Sequence, residues 1–217
     1  MKYTVKSLAF LALMGLAITS CTPKVEGEKA QTSEAQTVEN KATEASKKFA
    51  ADVTASKIEW LGTKMGGQHN GDLKLSKGEV IVEGGKLVGG SFTIDMNSIN
   101  VLDLEGEMKG NLEGHLKNAD FFEVEKFPTG EFVITSVTEA TGVEGQTHAI
   151  TGNLTLKGIT KAVNNIPATV TVTETGVEAT TPQFVINRQD WGITYQSTMK
   201  ESLLNDDMGI KITLSAK

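Results

Sequence analysis

The stretch that decides the fold is Leu116–Thr135, which reads LKNADFFEVEKFPTGEFVIT. It contains four of the chain's eight phenylalanines, interleaved with charged residues: Phe121, Phe122, Phe127 and Phe132. This pattern predicts a short helix or turn that carries the rings, then a Pro-Thr-Gly turn, then a strand over residues 131–137. Such a segment fits either the rim or lid of an apolar cavity or a plug that closes one end of a β-barrel core. From these residues alone we favour the plug, because buried rings usually pack rather than bind.

On both sides of this stretch, apolar and polar residues alternate with a period of two. Examples are Phe92–Met96, Leu154–Lys157, Val170–Val172, Phe184–Ile186 and Ile210–Leu214. Turns that contain glycine, such as Glu83–Gly85 and Thr175–Gly176, separate these runs. Many short strands with one apolar face predict an all-β domain whose antiparallel sheet is closed into a barrel or folded as a sandwich. We favour closure, because a closed barrel has no exposed sheet edges.

One stretch departs from the period of two and predicts a helix. Its apolar residues recur every four positions, at Leu104, Met108, Leu112 and Leu116. Glycines at 106, 110 and 114 each weaken such a helix by about 1 kcal/mol. We therefore expect a helix that depends on packing against the barrel and that is able to move.

The N-terminus predicts export from a bacterial cell. Lys2 and Lys6 precede an apolar run over residues 8–18, and two small residues then lead to Cys21, the only cysteine. This order predicts a signal peptide over residues 1–20, too short for a stable membrane span. The segment resembles the lipobox of bacterial lipoproteins, in which the cysteine becomes acylated, although the residues one and three places before Cys21 are not the commonest ones. The alternative is a plain cleaved signal followed by an incidental thiol.

Residues 21–49 are predicted to be a lipidated cysteine followed by a flexible linker, and residues 50–217 a single domain. The linker is rich in Ala, Thr, Glu and Lys and has no aromatic residue before Phe49, so it cannot bury enough surface to offset the cost of ordering. Thr22 is not the aspartate often associated with inner-membrane retention. We therefore expect a lipid-anchored, periplasm-facing protein of the cell envelope, with the outer membrane favoured.

The charge of the domain excludes some functions. From Phe49 onward there are 14 basic and 22 acidic residues, which argues against nucleic acid as a partner and against docking flat on anionic lipid. The three histidines lack the spacing of a metal site. Ser197–Lys200 has a Ser-x-x-Lys spacing, but its companion catalytic motifs are missing. The sequence therefore predicts neither an enzyme nor a resident cofactor or metal.

Four blocks, in order along the chain, resemble the YceI-like family. They are Trp60–Lys64 with Gly67–Gly71, His115–Pro128, Ile150–Lys161 and Asn187–Gly192. Together they span residues 58 to about 214, essentially the whole domain. The resemblance implies an eight-stranded antiparallel lipocalin-like barrel with a short helical insertion at residues 102–122. It also implies an elongated internal pocket for polyisoprenoids or other long-chain amphiphiles, and with the family in view the phenylalanines become cavity walls rather than a plug.

The predicted ligand-binding residues combine the family blocks with the apolar faces of the strands. They are Trp60, Lys64, His69, Phe92, Ile94, Met96, Leu112, Leu116, Phe121, Phe122, Phe127, Phe132, Ile186, Arg188 and Trp191. Arg188 is the only arginine. It either makes a bidentate contact with a phosphate or carboxylate head group or forms a structural ion pair with Asp190 or another acid. His69 and Lys64 share one predicted hairpin. His69 either hydrogen-bonds a head group at the mouth or is a satisfied structural histidine.

Two functions stay open on the sequence. The first is a membrane-tethered protein that carries or sequesters a long-chain apolar ligand, such as a polyisoprenoid, a quinone-like lipid or a fatty amide. The second is an envelope interaction module whose barrel is filled by its own side chains. The glycine-weakened helix favours the first, because a hinged lid would admit a long chain. A barrel without a continuous cavity would favour the second. The resemblance also allows a homodimer.

Overall fold

A computed structural model describes residues 24–39, 42–140, 145–199 and 203–217. The predicted signal peptide and Cys21 lie outside the described residues. Within these four ranges, no helix has the length and apolar character needed to cross a bilayer.

The described chain is almost entirely β-structure, with one α-helix and one 3-10 helix. The strands are β1 (Glu28–Lys29), β2 (Gln31–Glu34), β3 (Lys47–Ala50), β4 (Lys57–Lys64), β5 (Gly67–Glu83), β6 (Lys86–Val101), β7 (Thr129–Glu139), β8 (His148–Leu156), β9 (Ile159–Val172), β10 (Val177–Thr180), β11 (Phe184–Asn187) and β12 (Leu204–Ala216). Helix α1 (Gly106–Lys117) lies between β6 and β7, and the 3-10 helix (Arg188–Trp191) follows β11.

Eight of these strands close into an antiparallel barrel. Its order is β4-β5-β6-β7-β8-β9-β10-β12, and β12 pairs with β4 to complete the ring. The predicted eight-stranded barrel with a helical insertion is therefore confirmed. The upper end of the barrel carries α1, the β4–β5 and β8–β9 turns and the 3-10 helix, whereas the lower end carries the β5–β6 and β9–β10 turns.

Residues 24–39 do not form the flexible linker that their composition predicts. They form a segment, which we call the N-terminal strap, whose two strands pair edge to edge with β11 and β9. Strand β1 pairs with β11 in parallel, and β2 pairs with β9 in antiparallel orientation. Because β11 pairs on its other side with β12, the strap fills the wall between β9 and β11. Strand β3 also precedes the predicted start of the domain and pairs with β5.

The strap is held by specific polar contacts as well as by strand pairing. Gln36 N donates to Asn153 Oδ1 at 2.9 Å, and Asn153 Nδ2 donates back to the Gln36 carbonyl at 2.7 Å. Thr135 Oγ1 donates to Gln36 Oε1 at 2.8 Å, and Val25 is buried. Open sheet edges are templates for strand addition. The prediction of a flexible linker was wrong because it weighed apolar burial alone and not these edges.

Helix α1 lies across the upper end with only part of its predicted apolar stripe facing inward. Leu112 and Leu116 are half-buried, but Met108 is 66% exposed. Leu104 precedes the helix, which begins at Gly106. Residues four apart are about 40° beyond a full turn of a helix, so a strict four-residue stripe winds away from the contact face. No residue of α1 is fully buried.

Candidate ligand-binding cavity

A cavity of about 260 Å³ occupies the barrel interior. Its lining extends from Lys64 and His69 at the upper end to Leu87 and Val177 at the lower end, and most of it is aliphatic or aromatic. The volume lies just below the range of about 300–1,000 Å³ that is usual for ligand sites. The interior is therefore a continuous apolar space and is not completely filled by side chains.

All but one of the predicted ligand-binding residues line this cavity. The lining residues among them are Trp60, Lys64, His69, Phe92, Ile94, Met96, Leu112, Leu116, Phe121, Phe122, Phe132, Ile186, Arg188 and Trp191. Their position in the lining is a geometric finding, and contact with a ligand stays a prediction for each of them.

Phe127 is the exception and does not line the cavity. Its ring lies over Gly158 in the β8–β9 turn, where an added Cβ would lie 2.7 Å from Phe127 Cε1. Lys126 Nζ lies over the same ring, 5.0 Å from its centroid. Glu123, which has a φ of +50°, lies between Phe127 and Phe122, and of these two rings Phe122 lines the cavity.

An aromatic cluster closes the upper end of the cavity. The His115 and Phe121 rings meet edge to face with their centroids 5.0 Å apart, and His115 meets Tyr195 in the same way at 4.7 Å. Phe121 and Tyr195 are 5.2 Å apart, and Phe121 is buried. The sequence reasoning missed Tyr195, which lies in the irregular segment before β12 and therefore belongs to no periodic pattern.

Two bulky rings of the cavity lining are fixed by backbone contacts, Trp191 of the 3-10 helix and Phe132 of β7. Trp191 is completely buried, and its Nε1 donates to the Leu154 carbonyl at 2.9 Å. The Phe132 ring lies over Gly152 of the neighbouring strand, where an added Cβ would be 2.7 Å from Phe132 Cε2. Both rings present large apolar surfaces to the cavity.

Arg188 is buried and held by protein groups on three sides. Its Nη2 donates to Asp206 Oδ1 at 2.7 Å, Nη1 donates to the Ile193 carbonyl at 2.6 Å, and Nε donates to the Asn205 carbonyl at 3.3 Å. Burial lowers the pKa of the guanidinium and Asp206 opposes that shift, and arginine stays protonated in either case. These contacts favour the structural role, with Asp206 rather than Asp190 as the partner. Asp190 instead accepts a hydrogen bond from Thr32 of the N-terminal strap.

His69 is also engaged by a carboxylate. Its Nδ1 lies 2.8 Å from Asp103 Oδ2, and Asp103 Oδ1 accepts a hydrogen bond from Asn70 N at 3.0 Å. Burial raises the pKa of Asp103, but the hydrogen bonds from Asn70 and His69 outweigh burial and hold that pKa below its ordinary value. His69 therefore has one ring nitrogen committed to the protein.

Sequence reasoning missed much of the cavity wall in β5 and β9. Leu73, Leu75 and Val80 from β5, and Val163 and Ile166 from β9, all line the cavity. Both strands contain irregular registers, so their inward faces do not follow one period of two along the whole strand. Shorter windows of alternation within each strand would have indicated these residues.

Comparisons with known proteins agree with this architecture. A crystal structure of BcnA from Burkholderia cenocepacia has a TM-score of 0.62 and 24% identity, covering 77% of this chain and 99% of that one. A polyisoprenoid binding domain from Saccharophagus degradans, implicated in plant cell wall breakdown, has a TM-score of 0.56 and 12% identity, covering 78% and 97%. At these identities the two likenesses show a shared fold.

Curated relatives match over shorter segments. Protein YceI of Salmonella arizonae is 42% identical over 71 residues, which are 33% of this chain and 32% of that protein. UPF0312 protein plu2095 of Photorhabdus laumondii is 37% identical over 82 residues, 34% of this chain and 41% of that protein. The chain thus matches less than half the length of either relative. The protein-family model for the YceI-like domain, in contrast, matches residues 20–216 of this chain. The chain therefore belongs to the YceI-like family.

Proposed function

We propose that this protein binds a long-chain apolar ligand in the barrel interior and carries or sequesters it. The observation that carries the proposal is the continuous apolar cavity from the upper to the lower end of the barrel. Polyisoprenoids, quinone-like lipids and fatty amides have tails of the right chemistry. The structurally similar Saccharophagus degradans protein is a polyisoprenoid binding domain, and the proposal extends that ligand class to this chain.

Burial of a hydrocarbon tail supplies the affinity. Each buried CH₂ contributes about 0.8 kcal/mol, so affinity should rise roughly fourfold for each methylene that the cavity accepts. The cost of association is about 4–15 kcal/mol, so a tail must bury many carbons before binding becomes tight. A long chain meets this requirement better than a compact molecule of the same polarity.

The alternative function, an envelope interaction module, requires a barrel that is filled by its own side chains. A space of about 260 Å³ within the described wall supports ligand binding instead. No catalytic group is needed for this function, since uptake and release require only an opening and an apolar interior.

The upper end offers a route for the ligand. Helix α1 has no fully buried residue, so its displacement would cost little apolar burial. Large exposed apolar side chains also surround this end: Leu102, Met108, Ile159, Met199 and Leu203. An apolar rim next to an apolar cavity would let a tail pass without full exposure to water.

The proposal includes a lipid anchor at Cys21 in the bacterial envelope, facing the periplasm. Since Val25 is buried against the barrel, only three residues would lie between the anchor and the folded wall, and the four residue-to-residue steps reach at most roughly 14 Å. The barrel would then lie close to the membrane instead of standing off on a long linker. Replacing Cys21 with serine should release the protein from membranes. Continued membrane fractionation of that variant would contradict the anchor.

Native mass spectrometry tests the binding function. The protein would be purified gently from a bacterial host as residues 22–217, which keeps the N-terminal strap. A bound species of lipid mass that organic extraction removes is the expected result. A clean apo mass, together with no uptake of added prenyl or acyl lipids, would contradict the proposal.

A further inference from the structure

We infer that Leu87 is the floor of the cavity and sets the longest tail that the protein accommodates. This inference rests on the proposed binding of a long-chain ligand and adds a selection among such ligands by chain length. Affinity should rise with each added carbon until the tail reaches Leu87, and longer tails should gain nothing further. Leu87 is then a specificity-determining residue at the end of the barrel opposite helix α1.

A β-bulge in β6 turns Leu87 toward the cavity. Every second residue of Phe92–Met96, beginning with Phe92, lines the cavity, and the same alternation continued back along β6 would turn Leu87 outward. The pairing of β6 with β5 shifts between Gly89 and Leu87, however, so that Val88 is the extra residue of a bulge. Bulges at the rims of barrels re-aim side chains in this way. Leu87 accordingly lines the cavity and is 6% exposed, whereas Val88 does not line it.

Leu87 also lies at the boundary between the cavity and a second space. An open cleft at the lower end runs between the β5–β6 turn, the end of β7 and the start of β8. In the part of the chain that the structure describes, Leu87 is the one residue that lines both the cavity and this cleft. On the cavity side it belongs to the same buried cluster as Val80 and Val177. The leucine side chain therefore separates the apolar interior from the outside at this end.

The two sides of Leu87 differ in chemistry. The cavity lining at the lower end is aliphatic and includes Val80 and Val177. The cleft contains charged groups instead: Lys86 Nζ donates to Glu139 Oε1 at 2.8 Å, and both side chains are exposed. A carbon atom gains affinity by leaving water for an apolar space. Tail carbons above Leu87 therefore contribute to binding, whereas carbons that passed it would meet a charged pair and solvent.

A tail that is too long has to displace Leu87 or leave carbons outside the upper end. Closely packed interiors resist displacement, because overpacking strains the neighbouring side chains. Carbons left outside stay in water and add no affinity. Either way, the gain in affinity ends at one chain length. A smaller side chain at position 87 extends the cavity toward the cleft, and a larger one shortens it.

A series of unbranched saturated fatty acids tests this inference, because its members differ only in tail length. Acids of about 10 to 26 carbons would be titrated against the protein at concentrations below those at which they aggregate. Tryptophan fluorescence is the readout, since Trp60 and Trp191 line the cavity. In the unmodified protein, affinity should rise roughly fourfold per methylene and then level off at one chain length. An affinity that rises without a break across the series would overturn the assignment of a floor.

Two substitutions at Leu87 and one control locate the floor. Leu87→Ala should raise the chain length at which affinity levels off by about three carbons, the number of carbon atoms that it removes. Leu87→Phe should lower that chain length. Val88→Ala is the control and should leave it unchanged, because Val88 is half-buried, adjacent in sequence and not part of the cavity lining.

Circular dichroism would establish that each variant is folded, and opposite shifts in the two Leu87 variants cannot come from a general loss of stability. An unchanged chain length in folded Leu87→Ala or in folded Leu87→Phe would refute the floor while the binding function stands. No binding of any acid by the unmodified protein would instead contradict the proposed function itself.

Discussion

Arg188 Nη2 and Asp206 Oδ1 are 2.7 Å apart, and this pair ties the 3-10 helix to strand β12 at the upper end of the barrel. The arginine is 2% exposed, so its charge depends on Asp206 and on two carbonyl groups for compensation. Removing one partner of a buried pair leaves an uncompensated charge and costs more than the pair itself contributes.

We therefore expect Asp206→Asn to lower the free energy of unfolding by about 2–3 kcal/mol, since Asp206 is only partly buried. Urea denaturation at neutral pH measures this loss. Asp190→Asn is the matched control and should cost less than about 1 kcal/mol, because Asp190 accepts from Thr32 and not from the arginine. Equal losses in the two variants would show that Asp206 has no special role.

The contact between His69 and Asp103 predicts a dependence of stability on pH. The folded pKa of Asp103 lies below its value in the unfolded chain, about 3.9. The stability from this carboxylate is thus fully present above pH 3.9 and is lost as the pH falls through the folded pKa. Asp103→Asn should be less stable than the unmodified protein at pH 7, and the difference should shrink between pH 4 and pH 2. A constant difference across that range would exclude this source of stabilisation.

The N-terminal strap predicts a pattern of amide exchange that a flexible linker would not produce. Amides of β2 that pair with β9 should exchange at least about a hundredfold more slowly than unstructured peptide, because exchange requires the strand to open. Residues 37–39, which follow β2 and belong to no strand, provide an internal comparison. Hydrogen exchange followed by mass spectrometry would resolve the two segments. Unprotected amides throughout residues 31–34 would contradict the pairing.

The Asn153 amide connects that exchange pattern to particular contacts. Asn153→Ala removes the acceptor of Gln36 N and the donor to its carbonyl, so strap amides should lose protection while the barrel keeps its own. Thr138→Ala, an exposed position on β7, should leave strap exchange unchanged. A strap that stays equally protected in Asn153→Ala would be held by strand pairing alone.

The fold could be predicted from sequence because its signals are local and repeated. The alternation of apolar and polar residues in Phe92–Met96 and Ile210–Leu214 indicates strands. The four blocks that resemble the YceI-like family then imply that these strands form a barrel. The partner of Arg188 could not be predicted in the same way. The 3-10 helix that begins at Arg188 turns Asp190 toward the strap, while Asp206 approaches from a strand eighteen residues further along the chain. Contacts of that kind depend on tertiary geometry and not on spacing.

The N-terminal strap escaped prediction for a related reason. Its strand residues are polar and mostly exposed, and Asn153 and Thr135 look like ordinary outward-facing positions of β8 and β7. Both are buried, and both donate a hydrogen bond to Gln36. Composition indicates whether a segment has an apolar core of its own. It cannot indicate that the segment completes hydrogen bonds that another part of the chain leaves open.

Two phenylalanines of the Leu116–Thr135 stretch, Phe122 and Phe127, allow the most direct test of the cavity. Phe122 lines the cavity and Phe127 lies outside it, although both rings are half-buried and they are only five residues apart. Phe122→Asp puts a carboxylate into an apolar space and should reduce uptake of a prenyl or acyl lipid at least tenfold, because the charge must be desolvated before a tail can enter. Phe127→Asp should retain uptake within about twofold. Circular dichroism and thermal unfolding would establish that each variant is folded, and native mass spectrometry would measure the bound lipid. Unchanged uptake in folded Phe122→Asp would remove that ring from the site, whereas equal losses in both variants would attribute the effect to the stability of the upper end and not to contact with the ligand.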